Sequence, residues 1–157
     1  ETKIKEKVEE PSQAPKEPDQ PPKNVAYVKV NDDYKTISFV DCNFFVDINR
    51  ALGILEHIHN NYPNKIITFQ LRADQICMFE DVVKRISSYN LLIEVGIEAC
   101  SLDGLKRYNK MTTPEINQKA IDILKKNKIN FVAYMIMFEA LEDLSDIRAN
   151  FNFIKKK

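Results

Sequence analysis

What most constrains this chain is a fourfold repeat in which a short β-rich run precedes a longer segment of helical spacing. The runs are TISFVD at residues 36–41, IITFQLR at 66–72, LLIEVGIE at 91–98 and FVAYMIMF at 131–138. After the first, Ile48, Ala51, Leu52, Leu55 and Ile58 recur at the period of a helix face, with Asp47 as a predicted N-cap and Pro63 as a stop. After the second come Ile76, Phe79, Val83 and Ile86. After the third, a short helix near residues 102–108 leads into Thr112-Thr113-Pro114-Glu115. That tetrad reads either as a capping box from Thr112 or as Thr113 capping with Pro114 at the first helical position. The helix it opens carries Ile116, Ala120, Ile123 and Leu124 inward, and Leu144, Ile147, Phe151 and Ile154 stripe the last one. Strand–helix alternation of this kind predicts βαβ units on a parallel sheet, an α/β fold.

A doubly wound sheet has helices on both faces and nearly continuous apolar strands. Two of these strands alternate instead. Thr68, Gln70 and Arg72 share one face of the second run, opposite Ile67, Phe69 and Leu71. Leu92, Glu94, Gly96 and Glu98 share one face of the third, opposite Ile93, Val95 and Ile97. This pattern predicts a partial, incomplete TIM-type (β/α) barrel, with about four parallel strands each followed by a helix and a polar lumen that holds a ligand. In barrels the loops after the strands' carboxyl ends build the active face. Asp41 and Asn43 end the first run there, Arg72 and Asp74 the second, Glu98 and Ser101 the third, and Glu139 the fourth. Asp, Asn and Ser are also ordinary turn formers and caps, which competes with a ligand role for Asp74 and Ser101. Glu98 is a poor cap and Arg72 a poor turn residue, so these two carry the functional reading.

The 157 residues suffice for one domain with a core. Equal numbers of basic and acidic residues, 23 of each, argue against nucleic acid and anionic membrane as partners. No apolar run approaches the ~20 residues of a membrane span, and no signal peptide is evident, so a cytoplasmic protein is expected. Residues 1–24 hold five of the seven prolines among Glu and Lys, and they are predicted to form a disordered arm ahead of a domain over residues 25–157. VAYVKV at residues 25–30 is either a short strand or the end of that arm. Cys42, Cys77 and Cys100 lack the spacing of a disulfide framework or a metal site, so no metal ligands are assigned and reduced thiols are expected.

The stretches ISFVDCNFFVDINRAL, IEVGIEACSLDGLKRYNKMTTPEINQKAIDILKKNKI and MFEALEDLSDIRANFNFIKK resemble the radical S-adenosylmethionine (radical SAM) family over residues 35–157, most specifically in GIEACS followed by YNK and T. The likeness is greatest to members that carry a cobalamin-binding domain ahead of the barrel. The resemblance implies a barrel holding S-adenosylmethionine beside a [4Fe–4S] cluster. It places Asp41, Cys42 and Asn43 near the methionine moiety, Glu98 and Ser101 at the ribose, and Arg72 facing substrate or cofactor. The family's cluster motif, C-x-x-x-C-x-x-C, is not in this sequence. The chain is thus expected to be an interior slice of the domain, from the second to the fifth βα unit. It would be a truncated or split piece of a radical methylating or rearranging enzyme, with cobalamin held elsewhere in the parent and no catalysis by the isolated chain. The alternative is a degenerate, non-catalytic binding module. Exposed sheet edges would pair with a complementary segment or a second copy.

Overall fold

The computed structural model describes residues 33–155. The expected disordered arm over residues 1–24 and the undecided run at residues 25–30 lie outside them. Four strands, β1 (Thr36–Phe39), β2 (Ile66–Arg72), β3 (Leu91–Glu98) and β4 (Asn130–Met135), form one sheet in the order β1-β2-β3-β4. Every neighbouring pair is parallel. Each crossover steps to the next position in the same direction, so the connecting helices gather on one side and leave the other open. The expected partial (β/α) barrel is what forms.

Burial follows the predicted alternation. Ile67, Phe69 and Leu71 of β2 and Ile93, Val95 and Ile97 of β3 are buried in one core with the helices. Gln70, Arg72, Glu94 and Gly96 stand on the opposite, half-exposed face, where the register sets Gln70 beside Glu94 and Arg72 beside Gly96. A shift of one residue would exchange these faces, so core burial holds the register.

The connections explain themselves locally. Helix α1 (Ile48–Asn61) begins where the Asp47 carboxylate accepts the Arg50 N–H at 3.0 Å, and it ends with Tyr62 ahead of Pro63. Helix α4 (Leu102–Arg107) and helix α5 (Pro114–Lys126) follow β3. Of the two predicted starts for α5, the one formed is Thr113, whose hydroxyl accepts from the Ile116 N–H, with Pro114 first in the helix. Both helices end in a left-handed residue, Asn109 (φ 51°) and Lys128 (φ 55°). In each, paired backbone bonds close the turn: Asn109 N–H to Lys106 O with Lys110 N–H to Leu105 O, and Lys128 N–H to Lys125 O with Ile129 N–H to Leu124 O. This Schellman closure reverses the chain sharply and carries Lys110 back toward the sheet.

Three expectations are corrected. The helix on Ile76, Phe79, Val83 and Ile86 is broken into α2 (Ala73–Met78) and α3 (Glu80–Arg85), because Phe79 leaves helical geometry and sets its ring edge-on to Phe45 at 6.0 Å. The fourth strand ends at Met135 rather than at residue 138, because β3 beside it ends at Glu98, whose carbonyl takes the last bond from the Ile136 N–H. In α6 (Leu144–Lys155) the predicted inward stripe is turned out: Leu144 is 79% exposed, and Phe151 and Ile154 about half. Asp146 and Asn150 are buried instead, because each meets specific polar partners behind β3.

A cluster of phenylalanines closes the carboxyl end of β1. A single 3₁₀ turn, Phe44–Val46, buries Phe44 and Phe45 completely, with Phe44 4.9 Å from Phe39 and 4.7 Å from Phe69 between ring centroids. Replacing Phe44 with Ala should lower stability by ~3–5 kcal/mol, read as a drop in the denaturant midpoint. Val46→Ala, on the exposed side of the same turn, should leave the midpoint nearly unchanged.

Candidate functional site

At the open face, near the carboxyl ends of the strands, lies a cavity of about 430 Å³ whose lining includes Cys42, Gln70, Arg72, Glu94, Gly96, Glu98, Lys110 and Tyr134. Two of the predicted site residues, Arg72 and Glu98, meet here. Asp41 and Asn43 flank Cys42 without lining the cavity. The Asp41 carboxylate accepts the Asn43 N–H at 3.0 Å, as a turn former does. Ser101 faces away from it. Its hydroxyl oxygen accepts the Gly104 N–H at 2.9 Å to cap α4, and its proton goes to Asp146.

Glu98 has an unusual backbone. Its φ is 63°, and the Ala99 N–H donates to the Ile97 carbonyl at 2.8 Å, which closes a three-residue γ-turn around it. A left-handed glutamate is uncommon, and such geometry persists only where its surroundings over-determine it. Those surroundings are two fully buried asparagines. Asn117 of α5 donates to the carbonyls of Ile97 and Ala99 at 3.0 and 3.1 Å. Asn150 of α6 accepts the Cys100 N–H at 2.8 Å and donates to the Ile136 carbonyl at 3.3 Å.

The turn throws the Glu98 carboxylate back over Gly96, where a Cβ would lie 2.9 Å from Glu98 Oε1. The missing Cβ, expected to admit a ligand to the backbone, thus first admits Glu98 itself. There the carboxylate meets Lys110 Nζ at 3.0 Å. Lys110, the last residue of the YNK stretch, was given no site role in the sequence. Beside the resemblance of that stretch, the local signal was Asn109, a residue tolerant of the left-handed turn that closes α4. The Arg72 fork holds Asp74 through two bonds, Nε to Oδ1 at 3.0 Å and Nη2 to Oδ2 at 2.9 Å. These bonds raise the guanidinium's pKa; for Asp74, burial pushes upward, but Arg72 outweighs it and the carboxyl ends below its ordinary value. Gln70 donates to Glu94 at 3.1 Å. The cavity floor is therefore a set of charges already paired and held in place.

The cysteines do not assemble. Cys42 borders the cavity, Cys77 lies in α2 with its thiol on the Ile116 carbonyl of α5, and Cys100 is buried under a groove between α5 and α6. Burial pushes the Cys77 thiol pKa upward. Among the described residues, no three His, Cys, Asp or Glu side chains converge as metal ligands. These thiols do not fit an iron–sulfur cluster, which needs three or four thiolates together.

No protein-family model matches the chain, and none of the curated proteins matches it. Solved structures do, and they are structures of an S-adenosylmethionine radical enzyme. The cobalamin-dependent S-adenosylmethionine radical enzyme OxsB with aqua-cobalamin bound is similar at a TM-score of 0.67 and 23% identity, over 78% of this chain and 19% of that one. OxsB with both aqua-cobalamin and S-adenosylmethionine bound gives 0.64 and 24% over 78% and 19%, and its apo form 0.65 and 24% over 75% and 19%. At these identities the likeness is one of fold, and it meets the resemblance read in the sequence at that level. The chain matches only that 19% of OxsB's length. Among the described residues, no helix is long and apolar enough to cross a membrane.

Two outcomes follow from this geometry. If φ at residue 98 is strained, Glu98→Gly and Glu98→Ala remove the same carboxylate but differ in backbone freedom. The Gly variant should be the more stable of the two by ~1–2 kcal/mol, checked by paired denaturant melts. The second concerns acid. The Ser101 hydroxyl, then the Arg107 guanidinium, hold the Asp146 carboxyl below its ordinary pKa of 3.8, against the effect of burial. A carboxyl lowered on folding stabilises the native state in full above that value and loses its contribution as pH falls through the folded one. Asp146→Asn should therefore be less stable than the parent at pH 7, and the gap should narrow below about pH 4, followed as denaturant midpoints against pH.

Proposed function

We propose that the cavity over Gly96 binds S-adenosylmethionine, and that this chain supplies cofactor-holding strands of a cytoplasmic radical SAM domain whose cluster thiolates come from outside the described residues. The observation that carries this reading is the Glu98–Lys110 pair. A strained strand-end carboxylate and an ammonium face each other at 3.0 Å in a cavity of about 430 Å³, within the range for small-molecule sites. S-adenosylmethionine presents the complementary groups. Its ribose hydroxyls are donors for the Glu98 carboxylate, and its methionine carboxylate is a partner for Lys110 or the Arg72 fork. Glu94, half-buried beside Gln70, suits the positively charged ammonium or sulfonium. Binding would exchange an internal ion pair for ligand contacts to each of its two members. Ser101 caps α4 and supports the loop after Glu98, and Asp41 and Asn43 shape the rim around Cys42.

The parent reaction implied is radical methylation or rearrangement, and no step of it is assigned to these residues. Cobalamin, where the parent uses it, is assigned no residue of this chain. The edges β1 and β4 are open among the described residues. A complementary barrel segment or a second copy would pair there, and the mass of the species in solution separates the two. The second reading, a non-catalytic binding module, draws on the fact that Arg72–Asp74 and Glu98–Lys110 each close on themselves.

Calorimetric titration distinguishes them. S-adenosylmethionine should bind saturably to the whole chain, and Glu98→Ala should abolish the signal while shifting the melting midpoint little. An unaltered titration with a markedly lowered midpoint would instead make Glu98 a structural carboxylate, as the second reading has it.

A further inference from the structure

We infer that Asn117 and Asn150 are positioning residues for Glu98: from two different helices they clamp the backbone on either side of it and thereby aim its carboxylate into the cavity. This rests on the reading of Glu98 as a ligand-binding group.

Asn117 has no exposed surface, and its amide donates only to the carbonyls of Ile97 and Ala99, the residues before and after Glu98. Its own Oδ1 is buried without a partner. An orphaned acceptor is unfavourable, and a residue serving only to fill space between α5 and β3 would be apolar. The side chain is placed for its two donors. Asn150, 1% exposed, completes the clamp one residue further on by taking the Cys100 N–H and giving its own proton to the Ile136 carbonyl. The Ile136 N–H in turn donates to the Glu98 carbonyl at 2.8 Å. The chain from Ile97 to Cys100 is thus bonded at each of its four residues, and Glu98 is left with one orientation. Released from the clamp, a glutamate would relax toward negative φ, which swings its side chain off Gly96 and away from Lys110.

The test combines binding with a mutant cycle on the full chain. Asn117→Ala, Glu98→Gly and the double variant are melted, and S-adenosylmethionine is titrated into the parent and into Asn117→Ala at a temperature where both are folded. Asn117→Ala should raise the dissociation constant about tenfold or more, although it touches no ligand. In the melts, glycine reaches positive φ without help, so Asn117→Ala should lower the midpoint less in the Glu98→Gly background than in the parent. Wild-type affinity in a folded Asn117→Ala protein overturns the inference. If the parent itself does not bind, the S-adenosylmethionine reading fails and the melts decide alone. Equal midpoint losses in the two backgrounds then overturn the clamp, and a smaller loss beside glycine upholds it. Should Asn117→Ala not fold, Asn150→Ala is taken through the same comparison.

Discussion

Two amide protons of Asn117, received by the Ile97 and Ala99 carbonyls, hold together the part of this molecule where strand gives way to site. Parallel strands leave their carboxyl ends with backbone groups the ladder no longer satisfies, and buried groups of that kind must find partners elsewhere. Here the partners come from side chains on two helices rather than from a regular turn. The consequence is a backbone that can be held in a conformation it would not choose. The irregularity of the β3–β4 ladder between Gly96 and Glu98, the early end of β4 and the cap of α4 all lie along this stretch.

The charges of the open face are arranged in the same spirit. Each ionised group in the cavity wall has a polar neighbour within hydrogen-bonding reach: Arg72 with Asp74, Glu98 with Lys110, Glu94 with Gln70. None is far from water, so each pair contributes modestly to stability. Their larger effect is to hold these side chains in defined positions on the open face.

Much of the architecture was legible in the sequence because it rests on periodicity. The alternation of β2 and β3 placed Gln70, Arg72 and Glu94 on the open face, and the Thr113-Pro114 pair marked the start of α5. The misreadings have a common physical source. In α6, apolar spacing suggested an inward stripe of Leu144, Phe151 and Ile154, but directional bonds to Asp146 and Asn150 outweighed it and rotated the helix. The same kind of bond, to Asn117, made Glu98 a turn residue at positive φ, which no propensity scale foresees for glutamate. Lys110 reaches the site only through the reversal at Asn109, and its contact with Glu98 spans twelve positions of sequence. Phe44 and Phe45 sat beside polar rim residues and gave no period to read, yet both are fully buried in the core.

The rotation of α6 has a thermal consequence. A helix that packs its apolar stripe exposes that stripe on detaching, and its docking carries a large heat-capacity change. Here Leu144, Phe151 and Ile154 are already half or more exposed, and what detachment would break is a set of polar bonds at Asp146 and Asn150 together with the packing of Ala149 and Phe153. Loss of α6 would therefore show less curvature with temperature than the loss of a helix that buried its whole stripe, and cooling, which weakens apolar burial, would loosen it less. With α6 would go Asn150, whose amide holds Cys100, so the stiffness of the strand end beside the cavity depends on hydrogen bonds as well as on the hydrophobic core beneath it.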